Sequence, residues 1–377
     1  MKSTFPVGIP VIGGDLIDRE DELRKLEDML TSGQSVILSS PRRYGKTSVC
    51  LELLRRLKNK NYFTVYLDIF LILSKRKLAE EIVDKTLENK KVRNFTHQIK
   101  ERFTEVLRKL EIKKVFKDFE FVLSFKDEKV DEWTLLNHAL NFPEKFAKKY
   151  KKRMIIVMDE FGDLAKLNGV ELFKIMRATF QRQSSCSYLF TGSQESIMKK
   201  LFFNKKQPFF RFGIMMGLDV LPRKETGIYI KERFKQVGLK ISNLEIEYIL
   251  EKSSCYPYYI QLLCQKVYFG ALIDKKKRLN RDDIDDAYME AICGERDFFE
   301  ELWIDLMDKK YYVGVVKEIV LGKKLIYTIS DFKEVNLARI LKDLRDKGII
   351  RREGNRYMLR DPLFRDYIKM RVEGKLR

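Results

Sequence analysis

A short apolar run, Ser35-Val36-Ile37-Leu38-Ser39, leads directly into Ser40-Pro41-Arg42-Arg43-Tyr44-Gly45-Lys46-Thr47-Ser48. A basic stretch follows, with Val49, Leu53 and Leu57 at helical spacing. This strand–loop–helix constrains the fold more than any other part of the 377-residue chain. It matches the phosphate-binding pattern G-x-x-x-x-G-K-[ST] except at the first position, where Ser40 stands for glycine. Such a loop wraps backbone N–H groups around phosphate and aims a helix N-terminus at it. Gly45 permits the close backbone approach, Lys46 supplies charge for the β/γ oxygens, and Thr47 offers a hydroxyl to Mg²⁺. The same residues also describe a surface loop opening a basic helix, and G-K-T recurs by chance. The apolar strand directly before it favours the phosphate reading.

A second element follows the apolar run at 154–158, where Asp159 and Glu160 stand together. Carboxylates at the end of a buried parallel strand lie at the sheet edge where ligands of such sheets bind. Asp159 there would hold Mg²⁺ through water, and Glu160 would orient and activate an attacking water. In isolation the pair also fits a helix cap after a strand. Together with the loop at 40–47 it is far more specific.

The pattern elsewhere predicts the architecture. Asp18 fits an N-cap before a helix bearing Leu23, Leu26 and Leu30, ended by Gly33. Strands are expected at 35–39, 62–69, 154–158, 187–191 and 214–220, with helices at 46–58, 77–87, 133–150 and 170–181 between them. A further helix at 96–110 and a strand at 119–125 belong to a less legible stretch. From 224 the pattern turns helical, at 224–236, 243–252, 256–271 and 281–293. Helices at 311–321 and 337–347 then precede two short strands, 349–352 and 356–360, about a Gly354-Asn355 turn, the layout of a winged helix. The fold class is therefore α/β: a P-loop NTPase parallel sheet with helices on both faces, a helical lid and a C-terminal winged helix. The expected domains are 1–220 (with an insertion at about 71–150), 221–295 and 296–377.

Hydrophobic residues make up 45% of the chain and 26 are Phe, which excludes a disordered polymer. Net charge is +20, which favours an anionic partner, yet acids are interspersed throughout and no purely basic arm occurs. The five cysteines form no C-x-x-C pair, and only two histidines accompany them, so a zinc cluster is not expected. Scattered cysteines, no signal pattern and no apolar run near the ~18 residues of a membrane span point to the cytoplasm and away from a membrane.

The loop P-R-R-Y-G-K-T-S, the run I-I-V-M-D-E-F, the box Asp18-Arg19-Glu20-Asp21-Glu22-Leu23 and the stretch F-T-G-S-Q-E-S-I-M resemble the archaeal-type ATPase family. That family belongs to the STAND branch of P-loop NTPases, close to AAA+ proteins. Tyr256-Pro257-Tyr258-Tyr259 and Asp361-Pro362-Leu363-Phe364 are similar to its later motifs. The resemblance implies ATP/ADP and Mg²⁺ as cofactors and places Ile17, Asp18 and Arg19 near the adenine. It puts Ser193 where a polar sensor of the γ-phosphate belongs, and makes Arg211 a reporter of phosphate charge. Pro257 corresponds to the proline of a lid G-x-P motif that contacts the base, with Cys255 at the glycine position. A strand-end turn, a surface arginine and plain lid core are the structural alternatives for these residues.

The expected function is Mg²⁺-dependent ATP binding and hydrolysis that drives a conformational switch. One rival is a DNA-associated AAA+-type loader or motor, and another is a non-catalytic scaffold that holds nucleotide. Partners to expect beyond the nucleotide are duplex DNA, contacted without sequence preference through Arg339, Lys342 and Arg345 of the 337–347 helix and Arg351, Arg352 and Arg356 of the wing, or another protein. The alternative is a winged helix that packs within the chain and closes over the nucleotide. Acidic residues such as Asp343 and Glu353 dilute that basic surface. Oligomeric state is not legible.

Overall fold

The computed structural model describes residues 4–91, 131–167, 169–322 and 336–375. The helix expected at 96–110 and the strand expected at 119–125 lie outside these residues. The chain divides into two compact units, one of Arg19–Arg42 with Lys46–Leu218, the other of Met1–Asp18, Arg43–Gly45 and Asp219–Arg377.

The first unit is built on five strands: β1 (Val36–Ser39), β2 (Phe63–Asp68), β3 (Met154–Asp159), β4 (Cys186–Gly192) and β5 (Ile214–Met216). Their order is β2-β3-β4-β1-β5 and every pairing is parallel. Parallel neighbours need crossover connections, which the intervening helices supply. Helix α1 (Glu20–Thr31) precedes β1, and the crossovers are carried by α2 (Lys46–Asn59), α3 (Lys75–Leu87), α4 (Glu132–Lys149), α5 (Gly169–Phe180) and α6 (Glu195–Phe203). Strand β3 lies inside the sheet and is buried along its whole length, as its uninterrupted Met-Ile-Ile-Val-Met run requires. Strand β2, at one edge, alternates buried and half-buried residues. Phe161, Phe173, Phe190, Phe202 and Phe209 fill the core beside β4, with ring centroids 4.6–5.9 Å apart.

Three local expectations are corrected here. Helix α1 starts at Glu20 with Arg19 at the N-cap position, so Asp18 is not its cap. Strand β5 stops at Met216, short of the expected 220. Helix α6 follows β4 where no helix was expected, because its Met198, Leu201 and Phe202 bury against the aromatic core only once the sheet exists.

The second unit contains α7 (Arg223–Gln236), α8 (Asn243–Ser253), α9 (Pro257–Ile273), α10 (Arg281–Gly294), α11 (Arg296–Met307), α12 (Tyr312–Val320), α13 (Leu337–Asp346) and α14 (Pro362–Val372). Strands β6 (Ile350–Glu353) and β7 (Arg356–Leu359) pair antiparallel about Gly354-Asn355, and Gly354 takes the left-handed conformation the turn needs, at φ 57°. The N-terminal segment is fastened to α7 and α9. Arg233 donates to the Gly14 carbonyl at 2.6 Å and to Asp15 at 2.5 Å, and Gln265 donates to the Phe5 carbonyl at 2.8 Å. Helices α11 and α14 were not expected from periodicity. Asp361 caps α14 by accepting the Phe364 N–H at 3.0 Å, and Pro362 occupies its first turn.

Candidate functional site

The loop after β1 explains the serine at its first position. Ser40 is buried, and its Oγ accepts the Leu218 N–H at 2.5 Å. Glycine would leave that N–H without this partner. Gly45 adopts φ 82°, and Lys46 and Thr47 open α2. The Lys46 ammonium is buried and donates to the carbonyls of Ser40 and Pro41 at 2.7 and 2.8 Å. Burial lowers its pKa, against the pull of the Glu160 and Asp159 carboxylates. A buried ammonium folded onto two loop carbonyls is a charge ready to be met by an anion.

Asp159 ends β3 and is the hub of the site. Its Oδ2 accepts from the Thr47 hydroxyl at 2.8 Å and from the Tyr66 hydroxyl at 2.9 Å. Its Oδ1 accepts from the Thr191 hydroxyl and from the Glu160 N–H at 3.1 Å. The strand register makes this meeting possible, since Tyr66 and Thr191 sit near the C-terminal ends of the strands flanking β3. Burial, and then Asp159 itself, push the Tyr66 phenol far above its ordinary pKa, so it stays a donor at any usable pH. Asp159 is 4% exposed and has no ion-pair partner among the described residues. Its hydrogen bonds come from hydroxyl and amide donors alone, and its charge acts through space on the buried Lys46 ammonium. Hydroxyl and carboxylate oxygens are the donors that Mg²⁺ takes, so Thr47 and Asp159 fit that ion.

Glu160 follows in the left-handed region at φ 53°, a conformation uncommon for any residue but glycine, asparagine or aspartate. Its Oε2 accepts both the Ser193 N–H at 2.9 Å and the Ser193 hydroxyl at 3.0 Å. Its Oε1 makes no hydrogen bond among the described residues. Ser193 thus lies beside the acid pair, bonded to Glu160.

Lys46, Thr47, Asp159, Glu160 and Ser193 therefore come together. The remaining predicted residues have other surroundings. Ser48 is buried in α2 and Arg42 is exposed. The Arg43 side chain turns to Tyr259 and Glu295, and the Tyr44 ring meets Tyr256 edge-on at 5.0 Å. The buried Arg19 pairs with Glu22 at 2.9 Å, Ile17 is buried and Asp18 half-buried. Arg211 is exposed at φ 53° and has no acidic partner among the described residues. Pro257 occupies the first turn of α9. Cys255 keeps φ 58°, the left-handed conformation that a glycine of a G-x-P motif would supply. Sequence reasoning missed Tyr66 and Thr191. A hydroxyl near a strand end carries no signal until pairing sets it beside an acid.

A parallel sheet of order β2-β3-β4-β1-β5, with a glycine–lysine–threonine loop at the end of β1 and an acid pair at the end of β3, defines a P-loop NTPase. The chain belongs to the family described as the ATPase domain predominantly from Archaea, whose model matches residues 16–263. Among solved structures it is similar to the Walker-type ATPase PABY2304 of Pyrococcus abyssi, with TM-score 0.71 and 18% identity, covering 97% of this chain and 100% of that one. It is also similar to the Aeropyrum pernix ORC2 protein in ADPNP and ADP complexes, with TM-score 0.60 and 12% identity, covering 98% of each chain. No curated protein sequence matches. Among the described residues no helix is long and apolar enough to cross a membrane.

Proposed function

We propose that this protein is a Mg²⁺-dependent ATPase whose hydrolytic cycle drives a conformational switch. The observation that carries the reading is the convergence on Asp159 of the Thr47 hydroxyl, at the mouth of the phosphate loop, with Glu160 adjacent in the chain. Lys46 exchanges its two loop carbonyls for β/γ-phosphate oxygens. Thr47 and Asp159 hold the metal, which when bound neutralises phosphate charge. Glu160 receives the proton of the attacking water on Oε1, while Ser193 fixes the other oxygen. A scaffold that only holds nucleotide has no use for a carboxylate so held. Ile17, Asp18, Arg19 and Pro257 are assigned to the adenine end, and Arg211 to sensing phosphate charge, on family resemblance. The β6–β7 hairpin with α12–α14 is read as a winged helix.

Duplex DNA is given a minor part in this reading. Arg351 pairs with Glu353 at 2.8 Å and Arg352 donates one N–H to the Gly354 carbonyl at 2.9 Å, so two of the three wing arginines already hold a local acceptor and Glu353 lowers the local positive charge. Two unrelated duplexes should bind equally weakly and be released by roughly 0.2 M salt.

Two variants test the central reading. Lys46→Ala should abolish tight ATP binding in calorimetry. Glu160→Gln should keep ATP binding while phosphate release falls roughly 10²-fold or more. Full ATP affinity in the first variant would overturn the phosphate-loop assignment, and undiminished turnover in the second would move the catalytic role elsewhere.

A further inference from the structure

Arg43 sits inside the phosphate-binding loop, three residues before Lys46, yet its side chain is committed elsewhere. Its backbone is left-handed at φ 71°, a conformation that costs a non-glycine residue about 1 kcal/mol unless something holds it. What holds it is a socket made by several helices of the second unit, the unit to which Arg43–Gly45 itself belongs. One guanidinium nitrogen donates to the Glu295 carboxylate at 2.6 Å and another to the Tyr259 hydroxyl at 2.7 Å. The Tyr258 and Phe298 ring centroids lie 4.5 and 4.9 Å from its central carbon.

The socket is itself braced. Tyr258 donates to the other Glu295 oxygen at 2.7 Å, and Tyr259 donates to Asp361, the residue that caps α14. Glu295 closes α10 and begins α11. Its charged partner is Arg43, with its side chain only 12% exposed against 24% for the arginine. A planar guanidinium fork bonded to the Glu295 carboxylate and the Tyr259 hydroxyl, 3.9 Å from the Asp361 carboxylate and packed by the Tyr258, Tyr259 and Phe298 rings, is a fixed object, unlike a solvated surface arginine. Gly45 and Lys46 follow two and three residues further along the backbone, so the loop continues from an anchored point.

We infer that Glu295 is a positioning residue for the phosphate-binding loop, acting through Arg43. The carboxylate holds the guanidinium, the guanidinium holds the left-handed turn, and the turn presents the loop amides that receive phosphate. The inference rests on the phosphate-loop reading above and adds a control point outside the loop's own sequence. Loss of the Glu295 charge should loosen the loop and weaken ATP without removing any phosphate ligand.

The test is a double-mutant cycle on ATP·Mg²⁺ affinity, read by calorimetry on the full chain. Glu295→Gln should weaken ATP ~3- to 10-fold, and Arg43→Ala at least as much. The double variant should be no weaker than Arg43→Ala alone, because Glu295 has nothing left to act through. Thermal melts establish that each variant is folded. Where Arg43→Ala does not fold, Arg43→Lys replaces it, since lysine keeps the charge and loses the fork. Unchanged affinity in Glu295→Gln, or an equal loss with and without Arg43, would overturn the proposal. Either result beside a strong Lys46→Ala defect rejects the Glu295 role alone, whereas an intact Lys46→Ala rejects the site on which it rests.

Discussion

Ser40 and Lys46 illustrate how single side chains carry this site. The departure from glycine at position 40 is used: its hydroxyl serves a buried N–H from the segment after β5. Ser40→Gly, which restores the common pattern, should therefore lower stability by about 1 kcal/mol, seen as a shifted denaturant midpoint with unchanged slope. Lys46 makes a pH-dependent prediction. Its folded pKa lies below the ordinary lysine value because burial outweighs the nearby acids. Between the depressed value and the ordinary one the unfolded chain holds more protons, so folding stability rises with pH across that window. ATP favours the charged form, so ATP affinity should fall as pH climbs through the depressed value. Calorimetry from about pH 7 to about pH 10 checks it, with Lys46→Arg as a variant whose charge does not titrate. A flat profile for the native lysine would contradict the buried-ammonium picture.

At the scale of elements, Glu144 shows a helix fastening a strand. From α4 its carboxylate accepts the Ser184 and Ser185 N–H groups at 3.1 and 2.9 Å, fixing the approach to β4. Burial would raise its pKa, but the Lys148 pair and the two amides outweigh burial and lower it. A carboxylate with a depressed folded pKa adds stability that is present above its ordinary value and lost as pH falls through the folded one. Glu144→Gln should cost about 1–2 kcal/mol near neutral pH and progressively less in acid. Urea melts at several pH values measure it, and a constant difference down to acid pH would remove the ionic contribution. Helix α6 makes the complementary point. Its apolar residues find their partners in a cluster of phenylalanines gathered from several elements, which periodicity along one segment does not reveal.

For the whole molecule, nucleotide is expected to report on both units through stability. A ligand at a hundred times its dissociation constant stabilises the native state by about 2.7 kcal/mol, so ATP·Mg²⁺ should raise the melting temperature. Chelation of Mg²⁺ should remove part of that rise, and Lys46→Ala should remove nearly all of it. An equal rise with the lysine gone would show that ATP binds elsewhere. The net charge of +20 is a property of the whole surface, and its local use is restrained by acids. Two of the three hairpin arginines, Arg351 and Arg352, have found Glu353 and the Gly354 carbonyl as partners.

The sequence by itself determined the strand–loop–helix at 36–59, the acid pair at the end of β3, the parallel α/β class and the helical character beyond residue 223. Each of these is written in local order: an uninterrupted apolar strand, a glycine before a lysine, carboxylates directly after a buried run. Only the tertiary structure decided that Tyr66 and Thr191 close on Asp159, that Ser193 bonds Glu160, and that Arg43 leaves the phosphate loop for Glu295. Those partners lie far apart in the chain, brought together by strand register and helix packing. A hydroxyl or a guanidinium has many acceptors it can satisfy, and composition cannot say which one burial will bring within hydrogen-bond reach.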